Sequence, residues 1–316
     1  MTVFEKIVII TKKTWLEELI ERFNTKAQAK FYIEHMGGSF KDYQDAHDQY
    51  YLSLEKLKKS IPPKVKYQVI EKEFIPNFLF GPSDLVIVIG QDGLVINVAK
   101  YLDNQLILAV NPDPKRFDGV LLPFNSEDVH EYIDLIQNNK TEIAHITMIK
   151  AKLNDGQSIY AVNDLFVGHY SHGSARYTID YNRQKEDQSS SGIIFSTGAG
   201  STAWFRSIIT GAYGITHKKK SNIGIQTPGE HEYKFPWDAN YIYFAVREPF
   251  ISKTSGANII FGPIYEGDDI TIISNMPESG IIFSDGIWQD YIKFNSGAIA
   301  KIGVASKKAN LILKKS

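Results

Sequence analysis

The first strong pattern in the chain is an unbroken β-branched run, Ile7-Val8-Ile9-Ile10, closed by Thr11-Lys12-Lys13. A short apolar run with no polar alternation predicts a strand buried on both faces of a parallel sheet. From Thr14 to His35 the apolar residues fall at helical spacing (Trp15, Leu19, Phe23, Ala27, Phe31), and Gly37-Gly38 follows as a stop. A second helical stretch runs from about Lys41 to Ser60 and ends at Ile61-Pro62-Pro63. Val65 to Val69 predicts another strand. The clearest buried strand is Asp84-Leu85-Val86-Ile87-Val88-Ile89, which runs into a glycine-bearing turn and a helix from Leu94 to Leu102. Leu106 to Val110 is strand again. This alternation predicts an open, parallel, doubly wound α/β sheet.

After about residue 140 the texture changes. Runs become short and alternating, broken by Gly, Asn and Asp, as in Ser158 to Val162, Arg176 to Tyr181, Tyr241 to Ala245 and Ile270 to Ile273. That spacing predicts an antiparallel, sandwich-like β domain. The fold class is therefore an α/β N-terminal domain over 1–135 and a β-rich C-terminal domain over 136–304. A tail, 305–316, is expected to return to the first domain. The polar stretches Arg183 to Ser191 and Lys218 to Glu232 are expected to be mobile.

Composition narrows the chemistry. The 316 residues include 43% hydrophobic and 12% aromatic positions, enough for two ordinary cores. A formal net charge of -1 excludes a general basic field for nucleic acid. The short runs Lys218-Lys219-Lys220 and Lys314-Lys315 read as solvated loop and tail. There is no cysteine, which removes disulfides, thiolate metal sites and cysteine nucleophiles. Met1 to Ile10 lacks the apolar length of a secretory signal, and nothing approaches the ~20 apolar residues of a membrane span. The expectation is a cytoplasmic protein with no membrane or nucleic-acid partner.

Five constellations carry candidate chemistry. Gly90-Gln91-Asp92-Gly93 lies between the 85–89 strand and a helix, where open α/β sheets bind ligands. Glycines there admit phosphate to the backbone, and the helix start offers free N–H groups. Asp92 could orient a hydroxyl or accept its proton; the alternative is a plain turn with Asp as an N-cap. The run Ser196-Thr197-Gly198-Ala199-Gly200-Ser201-Thr202-Ala203-Trp204 follows an apolar strand and offers hydroxyl and backbone bonds without bulk. It reads as a ligand loop or a flexible Gly/Ser loop. Asn163-Asp164, at a strand end, can read a base edge or a ribose hydroxyl, or simply form a turn. Arg247-Glu248-Pro249-Phe250 and Ser284-Asp285-Gly286 read, singly, as strand-end turns.

In this order and spacing the motifs resemble the NAD kinase family. Its signature is a Gly-Gly-Asp-Gly turn, an Asn-Glu pair, a Thr-Gly-Ser-Thr-Ala-type loop and a late Asp-Gly turn. Here they stand as Gly90 to Gly93, Asn163-Asp164, Thr197 to Trp204 and Asp285-Gly286. Val110 to Pro114, Ser174-Ala175-Arg176, Arg247-Glu248-Pro249 and Phe294 to Ala300 look most like the divergent, organellar branch. The resemblance covers about residues 80 to 304.

The resemblance implies transfer of the terminal phosphoryl group of ATP, with a divalent metal such as Mg2+, to the 2′-hydroxyl of the adenosine ribose of NAD, giving NADP. It implies an alcohol-accepting phosphotransferase, a cleft site, and a homodimer or tetramer. Asp92 would be the catalytic aspartate, and Gly90, Gln91 and Gly93 would lie at the phosphates. Asn163 and Asp164 would contact the dinucleotide, with Ser196, Thr197, Gly198, Ser201, Thr202, Ala203 and Trp204 forming the loop against it. No protein metal ligand is implied.

Three residues depart from the family: Gln91 for the second glycine, Leu94 for a threonine, and Asp164 for a glutamate. They leave open polyphosphate in place of ATP, and NADH in place of NAD. They also leave open a weakly active or inactive NAD(P)-binding regulatory protein. A kinase for another hydroxyl, in a lipid or nucleoside, is a further alternative, since diacylglycerol-type kinases share the Gly-Gly-Asp-Gly turn.

Overall fold

The computed structural model describes residues 4–218 and 227–315. The chain divides into two compact units, Met1–Ala144 with Asn310–Ser316, and His145–Ala309.

The first unit is built on parallel strands: β1 (Lys6–Thr11), β2 (Lys66–Glu71), β3 (Asp84–Ile89) and β4 (Leu106–Val110). Their order is β2-β1-β3-β4, and Asn310 and Leu311 near the end of the chain pair in parallel with Leu106 and Ile107. All six residues of β3 are buried, as its unbroken apolar run requires. On one face Ile7, Ile9, Leu85, Ile87 and Leu108 pack with Tyr50, Leu54, Leu57, Tyr132 and Ile133. The alternate residues Val8, Ile10, Val86 and Val88 are also fully buried and point to the opposite face.

The helices are α1 (Trp15–Phe23), α2 (Lys26–His35), α3 (Phe40–Ser60), α4 (Asp92–Ala99) and α5 (Val129–Gln137). The apolar spacing predicts one helix from Thr14 to His35, but two are present. Asn24 adopts the left-handed conformation (φ 63°) and Thr25 caps α2 through the Gln28 N–H. The chain thus turns while the apolar spacing runs on unbroken.

The second unit is antiparallel. One sheet has β12 (Phe261–Tyr265), β11 (Tyr241–Val246), β10 (Ile193–Ser196), β7 (Asp164–His169), β14 (Gly280–Ser284) and β15 (Ile287–Lys293), in that order. Facing it are β13 (Asp269–Ser274), β8 (Ala175–Tyr181), β9 (Gln184–Ser190), β5 (Glu142–Leu153), β6 (Ser158–Ala161) and the first part of β16 (Ile299–Leu313). Leu165, Val167, Phe195, Phe244 and Ile282 from one layer share a core with Tyr177, Ile179, Ile270, Ile272 and Ile302 from the other. Two sheets closed over one apolar layer make the sandwich that the short strands predict.

The polar stretch Arg183 to Ser191 is not a mobile loop. It forms β9, paired with β8 from Ala175↔Ser190 to Tyr181↔Gln184. Asn182 and Arg183 both have positive φ (50° and 63°), the geometry of a tight hairpin turn. Its inward polar groups are satisfied, because the Tyr177 hydroxyl donates to Gln188 and meets the Ser190 hydroxyl. Of the other expected mobile stretch, and of the lysine run inside it, residues 219–226 lie outside the described residues. At the chain end Lys314 pairs with Asp128 at 2.7 Å. No helix among the described residues is long and apolar enough to cross a membrane.

Candidate functional site

In the first unit the site residues follow from the end of β3. The Gly90 N–H donates to the Val110 carbonyl at 3.2 Å, which ties the turn to β4. A Cβ on Gly90 would lie 2.8 Å from Leu94 Cδ2, so any larger residue there would push the Leu94 side chain aside. Leu94, where the family has a threonine, is buried and supplies that contact.

Gln91 is the N-cap of α4 but makes no side-chain cap bond. Its Oε1 instead accepts from Lys12 Nζ at 2.8 Å. Its carbonyl takes the Leu94 and Val95 N–H groups at 2.8 and 3.4 Å, and among the described residues those of Asp92 and Gly93 have no backbone acceptor. Gly93 is exposed, and a Cβ there would meet nothing within 4 Å.

Asp92 is the first residue of α4, and it does not cap its own helix. Its Oδ1 accepts the Leu121 N–H at 2.7 Å, which fixes the carboxylate by a residue 29 positions on. Among the described residues the second oxygen has no protein hydrogen bond. A carboxylate held by one oxygen, with the other open, can accept a proton from a substrate hydroxyl.

In the second unit, pairing brings the other residues together. β7 lies between β10 and β14, with Ser196 opposite Asp164 and Ser284 opposite Leu165. Asp285 and Gly286 form the two-residue turn from β14 to β15, both in the left-handed region (φ 55° and 72°). The Asp285 carboxylate accepts N–H groups from Val162 (3.1 Å), Asn163 (2.7 Å) and Asp164 (3.2 Å). It thereby builds the corner that carries the Asn163 and Asp164 side chains. The Asn163 side-chain amide makes no protein hydrogen bond among the described residues.

Asp164 is buried, and its Oδ1 has no hydrogen-bond partner. Burial pushes its pKa up to about 7; the Ser196 hydroxyl opposes that rise, the Asp285 charge adds to it, and the Trp204 N–H opposes it. Near neutral pH this carboxyl exists in both forms, so it can donate or accept.

The Ser196 to Trp204 loop divides into two parts. Ser196, Thr197, Gly198 and Ser201 are buried. The Thr197 hydroxyl donates to the Val162 carbonyl, and the Ser201 hydroxyl to Gly198 O at 2.6 Å. A Cβ on Gly198 would stand 1.9 Å from Pro236 O, and one on Gly200 2.2 Å from Asn163 O. These glycines exist for backbone contact, and the loop is packed. Its outer part is Thr202 and Ala203, exposed, and Trp204, half-buried. Trp204 stacks with Phe166 at 5.9 Å, and the Arg247 guanidinium lies 5.3 Å from the Trp204 ring centre.

No family model matches the chain. A NAD kinase from Sulfurisphaera tokodaii is 26% identical over 157 residues, which cover 48% of this chain and 61% of that protein. The chain thus matches about three fifths of that relative's length. The crystal structure of yeast NADH kinase complexed with NADH aligns with a TM-score of 0.59 at 16% identity, covering 98% of this chain and 84% of that one. The chain is thus similar in sequence to a NAD kinase and in fold to a NADH kinase. Its fold, an α/β unit with a mostly parallel sheet and an antiparallel β unit, is the fold of the yeast enzyme. The residues that motif reading passes over are Lys12 and Leu121, each joined to the Gly90–Gly93 turn by a hydrogen bond. The only advance signal for Lys12 is a cation directly after a buried strand.

Proposed function

We propose that the chain is an NAD kinase, transferring the terminal phosphoryl group of a donor such as ATP to the 2′-hydroxyl of the adenosine ribose of NAD or NADH. The observation that carries this reading is Asp92, held through one oxygen by the Leu121 N–H at 2.7 Å at the end of a fully buried strand. The acceptor oxygen bonds to the terminal phosphorus as the phosphorus–oxygen bond to the nucleoside diphosphate breaks. The hydroxyl proton passes to Asp92, and the diphosphate leaves with the bonding electron pair. Such transfers run through a loose transition state, so positioning and charge neutralisation provide most of the rate.

Asn163 and Asp164 bind the dinucleotide, their unpartnered amide and carboxyl oxygen taking ribose hydroxyls or a base edge. Thr202, Ala203 and Trp204 provide the outer surface of the loop. Among the described residues no group of three or more His, Cys, Asp or Glu side chains is gathered for a metal. A divalent ion would enter as part of the metal–nucleotide substrate, where it would neutralise phosphate charge. Pure protein mixed with NAD, ATP and magnesium should form NADP, read by an NADP-specific dehydrogenase. A protein that binds NAD but forms no NADP from ATP or polyphosphate would be a dinucleotide-binding protein instead.

A further inference from the structure

The Val110 to Pro114 stretch has no part in the reading above, yet it opens the loop that holds Asp92. After β4, residues 111–123 form neither helix nor strand, and the loop is closed at its ends. The Asn111 N–H donates to the Phe124 carbonyl at 2.7 Å, and the Phe124 N–H to the Ala109 carbonyl at 3.3 Å. Two more bonds tie it to α3: Gln49 Nε2 donates to the Pro112 carbonyl and Arg116 Nη1 to the Asp42 carbonyl, both at 2.9 Å. A segment outside helix and sheet must satisfy its backbone groups one by one, and these bonds fix its path.

The Asn111 side chain organises the inside of this loop. It is buried, its Oδ1 accepts the Asp113 N–H at 3.0 Å, and its Nδ2 donates to the Phe117 carbonyl at 2.9 Å. One end of the amide meets a donor and the other an acceptor, a pair of tasks that a carboxylate of the same shape cannot perform. Gly119 crosses directly over the amide: a Cβ there would stand 2.7 Å from Asn111 Nδ2, and its φ of 65° is one that glycine takes without strain. The Gly119 carbonyl accepts the Leu122 N–H at 3.0 Å, closing a turn. From the middle of that turn the Leu121 N–H reaches Asp92 Oδ1 at 2.7 Å.

We propose that Asn111 is a positioning residue for Asp92: its buried amide shapes the loop so that the Leu121 N–H meets the carboxylate and aims the second oxygen at the acceptor hydroxyl. The proposal rests on the phosphotransferase reading, in which that oxygen takes the hydroxyl proton. Asn111 acts through Gly119 and Leu121 rather than on the reacting atoms. Without its amide, the Phe117 carbonyl and the Asp113 N–H lose their partners inside the loop, and the turn that carries Leu121 is no longer held. A carboxylate released from that N–H swings, and a misplacement on the order of 1 Å costs up to about 10²-fold in rate.

The test uses the full chain with Asn111→Ala, Asn111→Asp, Gly119→Ala, Asp92→Asn and the Asn111→Ala/Asp92→Asn double variant. Steady-state NADP formation gives kcat and the KM for NAD. Hydrogen exchange of the Leu121 amide, read by NMR, follows the bond to Asp92 with no substrate present. Asn111→Ala should lower kcat about tenfold and leave the KM for NAD within about twofold of native. It should also speed exchange at Leu121 about tenfold more than it speeds exchange in β3. Asn111→Asp keeps the shape and the Asp113 bond but sets an oxygen against the Phe117 carbonyl, so its kcat should fall as far. Gly119→Ala crowds the amide and should do the same. In the Asp92→Asn background, Asn111→Ala should lower kcat by less than about twofold, because the group it positions is already gone.

Native kcat in Asn111→Ala or Asn111→Asp would overturn the proposal. So would a loss of about tenfold repeated in the Asp92→Asn background, the mark of a general loosening, or Leu121 exchange that rises no more than that of β3. Should Asn111→Ala not fold, Asn111→Asp combined with Asp92→Asn completes the same cycle. Faster Leu121 exchange in Asn111→Ala, from a native chain that forms no NADP, would uphold the hold on the Asp92 carboxylate and defeat the NAD kinase reading. NADP formation lowered by Asp92→Asn and untouched by Asn111→Ala would do the reverse.

Discussion

Replacing Asp164 by Asn should make the protein more stable at alkaline pH and leave its stability at acid pH much less changed. The carboxyl is buried, and its pKa stands at about 7 against 3.8 for the free side chain. A folded-state pKa raised above the unfolded value contributes stability that is fully present below the unfolded value and is lost as pH rises through the folded one. The window here runs from about pH 4 to about pH 7. Over the whole window the shift is worth about 4 kcal/mol, at about 1.36 kcal/mol per pKa unit. Between pH 5 and pH 8 the same relation gives a loss of about 2–3 kcal/mol from this one group.

Asparagine keeps the shape and can still accept from the Trp204 N–H, but it carries no charge to desolvate. Urea denaturation of both proteins at the two pH values, followed by tryptophan fluorescence and circular dichroism, gives the difference directly. The advantage of Asp164→Asn should grow by about 2–3 kcal/mol from pH 5 to pH 8. An advantage that does not change with pH would show that Asp164 titrates normally, and the argument from burial would fail.

Gly198→Ala should destabilise the β unit by more than about 3 kcal/mol or prevent folding, because its Cβ would stand 1.9 Å from Pro236 O; thermal melting checks this. Asp285→Asn removes the charge that three N–H groups of residues 162–164 share, and should cost about 1.5–3 kcal/mol in denaturation while raising the KM for NAD. Gly93→Ala meets no neighbour within 4 Å and sits in a helix, so it should hold or raise stability by up to about 1 kcal/mol. If phosphate approaches that backbone, the same variant should lose turnover, and a variant with full turnover would remove Gly93 from the site.

How much of this was legible in advance depended on the range of each interaction. The Leu85 to Ile89 strand and the turn after it were plain, because burial on both faces leaves a continuous apolar run. The sandwich was plain too, from short alternating strands. The break at Asn24 was hidden because Phe23, Ala27 and Phe31 keep the helical spacing across it. β9 was hidden because its inward residues, Gln188 and Ser190, are polar and are satisfied by Tyr177 on the paired strand. Asp285 read as a turn residue and is one, as its left-handed φ shows. Its larger part, building the Asn163–Asp164 corner across more than 120 positions, depends on pairing that no local pattern encodes. The bond from Lys12 to Gln91 spans 79 positions and was equally out of reach. In the Ser196 to Trp204 loop, small residues signalled close approach correctly, but at Gly198 and Gly200 the partner is the protein's own backbone.

The most direct test of the central claim is NADP formation by the native chain beside Asp92→Asn, with NAD and Mg-ATP at saturating levels and NAD affinity measured in parallel. The account predicts NADP from the native protein, turnover lowered about 10²-fold or more by the substitution, and NAD affinity nearly unchanged. Equal turnover in the two proteins, or no NADP from a native protein that binds both substrates, would contradict it.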